Sequence, residues 1–257
     1  MNYGMYIAAS GASVQLARQE VFTNNLANVG TVGFRPHMMA VRARDVVRVE
    51  DGLAGVNSDR MLERLGGGVM PAPVRVSEAQ GRLERTGRAL DAAIEGKGFF
   101  VVRVGPGEEG LRLTRDGRFA IGPDGRLVTS GDGAELVGDD GQAIVVDASR
   151  GVSIRGDGVV EQEGVGVGRL RVADVAEAWR LRSVGKGLLA DGRGRALKLR
   201  EASGRVVQGS LEGSGVDALD ALMGATGAAR AVEGNVRMIG LIAENMQMAI
   251  GRFGRVS

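Results

Sequence analysis

The sequence predicts an α+β protein, mainly β, in which long N- and C-terminal helices form a coiled-coil-like bundle and a β-rich domain is inserted between them. Three observations carry this. Apolar residues near the C-terminus alternate in steps of three and four, the opening residues repeat that spacing more weakly, and the centre switches to period two with regularly spaced Asp-Gly pairs.

The C-terminal pattern consists of Leu222, Ala225, Ala229, Val232, Val236, Ile239, Ala243, Met246, Ile250 and Phe253. Every position is apolar, so a helix here presents one continuous seam to another helix. Ser214 or Asp217 would cap its start. Gly224, Gly227, Gly234, Gly240 and Gly251 all avoid this seam. Each costs about 0.8–1 kcal/mol relative to alanine in a helix interior, so the helix should fray alone and become ordered on packing. Leu219, Met223, Met238, Leu241, Ile242 and Met248 lie off the seam and require a second surface. That favours assembly over a self-contained pair of helices.

The partner is found at the other terminus. Tyr3, Ile7, Ser10, Val14, Ala17, Val21 and Asn24 follow the same spacing and predict a helix over Tyr3–Ala27. It ends in Asn24-Asn25-Leu26-Ala27-Asn28, before Thr31, Gly33 and Pro36, which suit an exit and a turn. The predicted assembly contacts are Ile7, Val14, Val21, Asn24, Asn25, Leu26 and Asn28, together with the ten C-terminal positions. Residues 1–34 and 214–257 therefore make up the helical part. Residues 35–73, with Gly66-Gly67-Gly68 and Pro71 and Pro73, read as an extended connector that could hold a short hairpin.

Residues 74–213 read as the β-rich domain. Phe99-Phe100-Val101-Val102 is a strand after Gly96-Lys97-Gly98. Asp116-Gly117, Asp124-Gly125, Asp132-Gly133 and Asp140-Gly141 recur every eight residues, and Asp157-Gly158 follows. Asp-Gly suits the two-residue hairpin turn in which both central residues have positive φ, so this spacing predicts a tight meander or small barrel. Further strands are expected near Leu170-Val172, Trp179-Leu181, Ala196-Leu199 and Arg205-Gln208.

Composition narrows the function. The 257 residues carry 33 basic and 31 acidic side chains, a near balance that gives nucleic-acid binding little support. There is no cysteine, which removes disulfides, thiolate nucleophiles and cysteine metal ligands. His37 is the single histidine, and without histidine or cysteine partners it reads as a solvated loop residue rather than a ligand or base. Gly164-Val165-Gly166-Val167-Gly168 lacks dinucleotide spacing, and Gly96-Lys97-Gly98 and Gly185-Lys186-Gly187 lack the other parts of a phosphate loop. The Asp-Gly pairs do not form a calcium loop. No cofactor, metal or catalytic set is expected, no membrane insertion, and no cleaved signal peptide is visible.

Several of these segments resemble the bacterial flagellar basal-body rod and hook proteins. The similarity is carried by Thr23-Asn24-Asn25-Leu26-Ala27-Asn28 with Thr31, Gly33-Phe34 and Arg35, and by Leu90 to Phe100. Leu113-Thr114-Arg115-Asp116-Gly117-Arg118-Phe119 continues it, and Gln208-Gly209-Ser210-Leu211-Glu212-Gly213-Ser214 follows in order. In length and in Met5 to Gly11 the chain looks most like proximal rod members, with distal ones next. Gly215, Val232 and the stretch after Ala249 depart from the family pattern. The resemblance implies a structural subunit of the periplasmic rod. Such a subunit polymerises into a hollow shaft that transmits torque from motor to hook, and is exported by the flagellar type III apparatus without a cleaved signal. Implied partners are the chain itself, other rod proteins, and hook and ring proteins. A soluble β-rich binding module dimerised by its terminal helices is the alternative from a different class.

Overall fold

The computed structural model describes residues 3–46, 66–105, 107 and 110–253. The chain divides into two compact units, one drawn from Met1–Leu26, His37–Val74 and Ala218–Ser257, the other from Ala27–Pro36 and Arg75–Asp217. Content is mainly β, with a helix at each end and a β-rich middle.

The first unit contains helix α1 (Tyr3–Ala27) and helix α2 (Ala218–Phe253). Helix α2 begins directly after Asp217, and the Val216 N–H is 3.3 Å from Ser214 Oγ in the approach to it. Three close approaches show the helices running antiparallel past each other. A Cβ on Gly4 would lie 3.3 Å from Ile242, one on Gly11 3.0 Å from Asn235, and one on Gly224 2.6 Å from the Phe22 ring. Gly224 is thus not an idle glycine, as its spacing suggests, but the place where α2 backbone meets an aromatic ring. Gly227, Gly234, Gly240 and Gly251 have open space around them.

Two short strands, Val41–Ala43 and Val69–Pro71, pair antiparallel in the same unit, with Val41 opposite Pro71. The Val69 N–H donates to Ser10 Oγ at 3.3 Å, and Tyr3 and Arg44 make hydrogen bonds to Gly66 O and Tyr6 Oη. The described residues 37–46 and 66–74 therefore group with the helices rather than standing apart as a connector. The charged residues Arg48, Glu50 and Asp51, from the stretch between those strands, lie outside the described residues.

The second unit is built on a nine-stranded sheet. Its main path runs Leu181–Gly185, Leu188–Asp191, Leu111–Thr114, Phe99–Arg103, Glu135–Leu136, Leu127–Thr129, Phe119–Ile121. The other two strands are Val172–Val175, which pairs with Phe99–Arg103, and Leu199–Glu201, which pairs with Val172–Val175. Phe99–Arg103 shows why its sequence is an unbroken apolar run. Phe100 and Val102 enter one core with Phe119, Leu127 and Leu136, while Phe99 and Val101 enter a second with Leu113, Val137 and Leu189. Successive side chains point to opposite faces, and here both faces are covered. Phe100 and Phe119 meet edge to face at 5.1 Å and 83°.

A separate three-stranded antiparallel sheet comprises Val152–Ile154, Val159–Gln162 and Val165–Arg169. Two further pairs complete the unit, Ala92–Glu95 with Arg205–Gln208 and Leu83–Arg85 with Ser210–Glu212.

The Asp-Gly turns differ from expectation. Gly125, Gly133, Gly141 and Gly158 have φ of 78°, 72°, 78° and 85°, but the preceding aspartates do not have positive φ, so these are not turns with two left-handed residues. Each aspartate instead accepts a hydrogen bond from the backbone N–H two residues on, as Asp140 Oδ1 does from Gln142 at 3.0 Å and Asp157 Oδ1 from Val159 at 3.3 Å. The carboxylate shapes the turn and the glycine takes the left-handed position after it. Gly117 serves another purpose, since its Cβ would fall 1.5 Å from Ala92 O. Trp179, expected in a strand, lies in a short 3-10 turn (Ala178–Arg180) and is exposed.

Candidate assembly surface

Helix α2 has one face turned toward its own chain. Ala221 and Ala228 are buried, and Ala225, Val232, Asn235, Ile239, Ile242 and Met246 are half-buried. These eight alternate by four and three. They share Ala225, Val232, Ile239 and Met246 with the seam read from sequence but replace its other members. Leu222, Val236 and Ile250 are 48%, 56% and 69% exposed, while Ala229 and Ala243 are half-buried. The side chain of Phe253 lies outside the described residues. Two overlapping heptad stripes exist on this helix, and the one facing inward is richer in small residues. Gly224, between the buried Ala221 and Ala228, lets the α2 backbone come close to the Phe22 ring.

On α1, Val14, Val21 and Asn25 are buried, Leu26 is half-buried, and Ile7 and Asn24 are exposed; Asn28, just past the helix, is half-buried. Asn25 has a specific task. Its Nδ2 donates to His37 O at 2.9 Å, and its Oδ1 accepts from His37 N–H at 2.8 Å, so the amide stands in for a strand neighbour. His37 therefore sits half-buried in the short strand His37–Met38 rather than in a solvated loop, and burial lowers its pKa from the usual 6.5. Asn28 belongs to the following turn, where its carbonyl accepts from the Thr31 N–H at 3.1 Å.

The outward face of α2 is apolar too. Leu219, Met223, Leu241 and Met248 are 63%, 56%, 56% and 49% exposed. At about 100° per residue, Met223, Leu241 and Met248 fall within roughly 20° of one another, on the side opposite Ala221 and Ile239. No helix among the described residues is long and apolar enough to cross a membrane.

Sequence reasoning missed a second constellation, which lies wholly in the β-rich unit. Arg35, Arg115 and Glu212 are 4%, 3% and 1% exposed. Glu212 forms an ion pair with Arg35 at 3.0 Å and accepts from Arg115 at 2.7 Å and from the Gly81 N–H at 2.9 Å. Two cations share one anion, and the excess is spread over backbone carbonyls. Arg115 donates to Ile94 O and Gly96 O at 3.1 and 2.7 Å, and Arg35 to Glu78 O at 2.8 Å. Burial pushes the Arg35 guanidinium down to about 10, Arg115 adding to the shift and Glu212 opposing it. Burial lowers Arg115 likewise, again against Glu212. Both remain charged at neutral pH.

Backbone stitching surrounds this triad. The Gly33 N–H donates to Glu212 O at 2.7 Å and the Gly215 N–H to Phe34 O at 3.0 Å. Gly33 has φ 67°, and a Cβ there would lie 2.3 Å from the Arg115 backbone. The segments that continue into α1 and α2 are thus tied to each other. A signal was present in the sequence, because Arg35, Arg115 and Glu212 stand in three of the motifs that carry the family resemblance.

Comparison with known proteins gives those motifs their setting. Three family models match: flagella basal body rod protein over residues 5–35, flagellar hook protein FlgE/F/G D1 domain over 93–162, and flagellar basal body rod FlgEFG protein C-terminal over 207–252. Each matched segment contributes one member of the triad. The class is therefore the structural rod and hook proteins of the flagellum. The flagellar basal-body rod protein FlgF of Caulobacter vibrioides is 30% identical over the whole of both chains, and that of Salmonella typhimurium 31% over 95% of this chain and 96% of its own. A FlgG of Buchnera aphidicola is 33% identical, over 46% of this chain. The chain belongs to the flagellar basal-body rod protein family, on its FlgF-like side, and is a structural protein rather than an enzyme.

Proposed function

We propose that this chain is a subunit of the proximal rod that polymerises through its terminal helices, which form a coiled-coil-like bundle with those of neighbouring subunits, into a hollow shaft carrying torque from motor to hook. The observation behind this reading is the outward stripe of α2, Leu219, Met223, Leu241 and Met248, which the antiparallel contact with α1 leaves in solvent. Leu222, Val236 and Ile250 are exposed elsewhere around the helix, and exposed Ile7 and Leu16 add apolar surface on α1. A helix apolar on both sides is built to be surrounded. Close-packed helices resist axial strain and sliding, as a drive shaft requires. On this reading the partners are other copies and other rod proteins, with hook and ring proteins beyond, and the chain reaches the periplasmic rod through the flagellar type III apparatus.

The test is Leu241→Asp combined with Met248→Asp. Both side chains face solvent, so the monomer should keep its thermal stability within about 0.5 kcal/mol per substitution. Cells carrying the pair should lose motility and rod assembly. Swimming at normal protein levels would sink the proposal.

A further inference from the structure

The β-rich unit carries charge unevenly. Residues 179–200 hold seven cations (Arg180, Arg182, Lys186, Arg193, Arg195, Lys198 and Arg200) and one carboxylate, Asp191. Residues 132–163 hold eight carboxylates against Arg150 and Arg155. The whole chain is near balance at +2, so the asymmetry is one of placement.

Placement in the fold sharpens it. Leu181–Gly185 is one end of the main strand path, while Glu135–Leu136 lies inside that path beside Phe99–Arg103, and Val152–Ile154 and Val159–Gln162 belong to the separate three-stranded sheet. Lys186, Arg193, Arg195 and Lys198 are exposed and make no ion pair with any described residue. Arg180, Arg195 and Lys198 line a cleft of about 240 Å³ with Glu177, Asp191 and Leu197. The Nε of Arg180 is buried there without a hydrogen-bond partner among the described residues. On the acidic side, Arg126, Arg150, Arg155 and Arg169 pair with Glu135, Asp139, Asp147, Asp157, Glu161 and Glu163. Asp132 and Asp140 pair with no cation among the described residues, and Asp139 and Asp140 project together from an exposed turn.

We propose that the basic surface of residues 179–200 docks against the acidic surface of residues 132–163 on a second copy of this chain, setting β-rich units side by side. The inference rests on the rod-subunit reading above for the presence of a neighbour. Within one chain the basic surface sits at one end of the strand path, while the acidic surface is divided between an interior strand of that path and the separate three-stranded sheet, yet the two complement each other. A contact between two different patches of identical chains is head-to-tail and propagates into a ring or helix. Charge complementarity then fixes which side of one subunit meets which side of the next, while the apolar helix stripe alone specifies no such direction.

The test uses the full chain, which has no native cysteine. Chains carrying Arg195→Cys are mixed with chains carrying Asp140→Cys and treated with a short bis-maleimide. Heterodimers should exceed both homodimers at low salt and fall several-fold at 0.5 M NaCl, where the screening length drops to a few ångströms. In parallel, Arg193→Glu with Arg195→Glu should raise the concentration needed for pelletable assembly about tenfold, and mixing with Asp139→Lys, Asp140→Lys chains should restore it. Cross-links in random proportion, or a charge reversal without effect, would overturn the inference. If Leu241→Asp abolishes pelleting while the reversal does nothing, the tube survives and the lateral contact falls. If hetero-cross-links form without pelleting by the unaltered chain, the contact survives and the tube falls.

Discussion

The five-residue strand Phe99–Arg103 has four buried side chains, whereas among the described side chains of the 36-residue helix α2 only Ala221 and Ala228 are buried. The β-rich unit finishes its packing inside one chain. It fills two cores and sets the buried Arg35 and Arg115 against the buried Glu212. The helical unit covers one stripe of α2 and leaves a second facing water. On the proposed reading stability and assembly are thereby separated, because a substitution in the cores or the ion triad of the β-rich unit acts on the fold, while one on the exposed stripe of α2 acts on what the fold joins.

That contrast can be broken at several depths. The largest effect is expected from Glu212→Ala, which strands two buried arginines without their shared anion. The cost should be about 3–5 kcal/mol, a fall of roughly 10 °C in the midpoint of the β-rich unit by calorimetry. Gly117→Ala comes next, since its Cβ would overlap Ala92 O and must displace a strand. Denaturant titration should show a loss of ~2–4 kcal/mol. Asn25→Ala removes the amide that holds both backbone groups of His37, and should cost about 1–3 kcal/mol. Its signature is local. Amide exchange should quicken at the end of α1 and around His37, with the β-rich unit unchanged.

The smallest effect is a pH dependence at His37. Its folded pKa lies below the ordinary 6.5 because burial disfavours the imidazolium. The unfolded chain therefore takes up the proton first, and the contribution present above pH 6.5 is lost as pH falls toward the lower folded value. The urea midpoint of the helical unit should decline between pH 7 and 5, and His37→Gln should flatten that part of the profile. A β-rich unit that declined in step with it would erase the separation between the two regions.

Particular residues show how far the sequence could be read. Helix α1 occupies Tyr3–Ala27 as its spacing predicts, because an asparagine cluster and a following glycine and proline end it by local chemistry. Arg205–Gln208 is the strand that period two indicates. The Asp-Gly pairs mark turns, but side-chain hydrogen bonding decided their kind. Trp179, expected in a strand, lies in a 3-10 turn with the Arg180 guanidinium over its ring at 5.3 Å, and the strand begins only at Leu181. Of the ten positions of the predicted α2 seam, Ala225, Val232, Ile239 and Met246 face inward and Leu222, Val236 and Ile250 are exposed, as two overlapping stripes fit the same heptads.

By itself the sequence determined what depends on neighbours a few positions away: where helices run, where strands alternate, where glycine must follow aspartate, and which motifs carry the family. Tertiary structure alone decided which stripe of α2 turns inward, because that choice depends on whether the opposing residue is as bulky as Phe22. It alone revealed the ion triad, because Arg115 and Glu212 are 97 residues apart and only the folded chain excludes the water that would otherwise satisfy them separately.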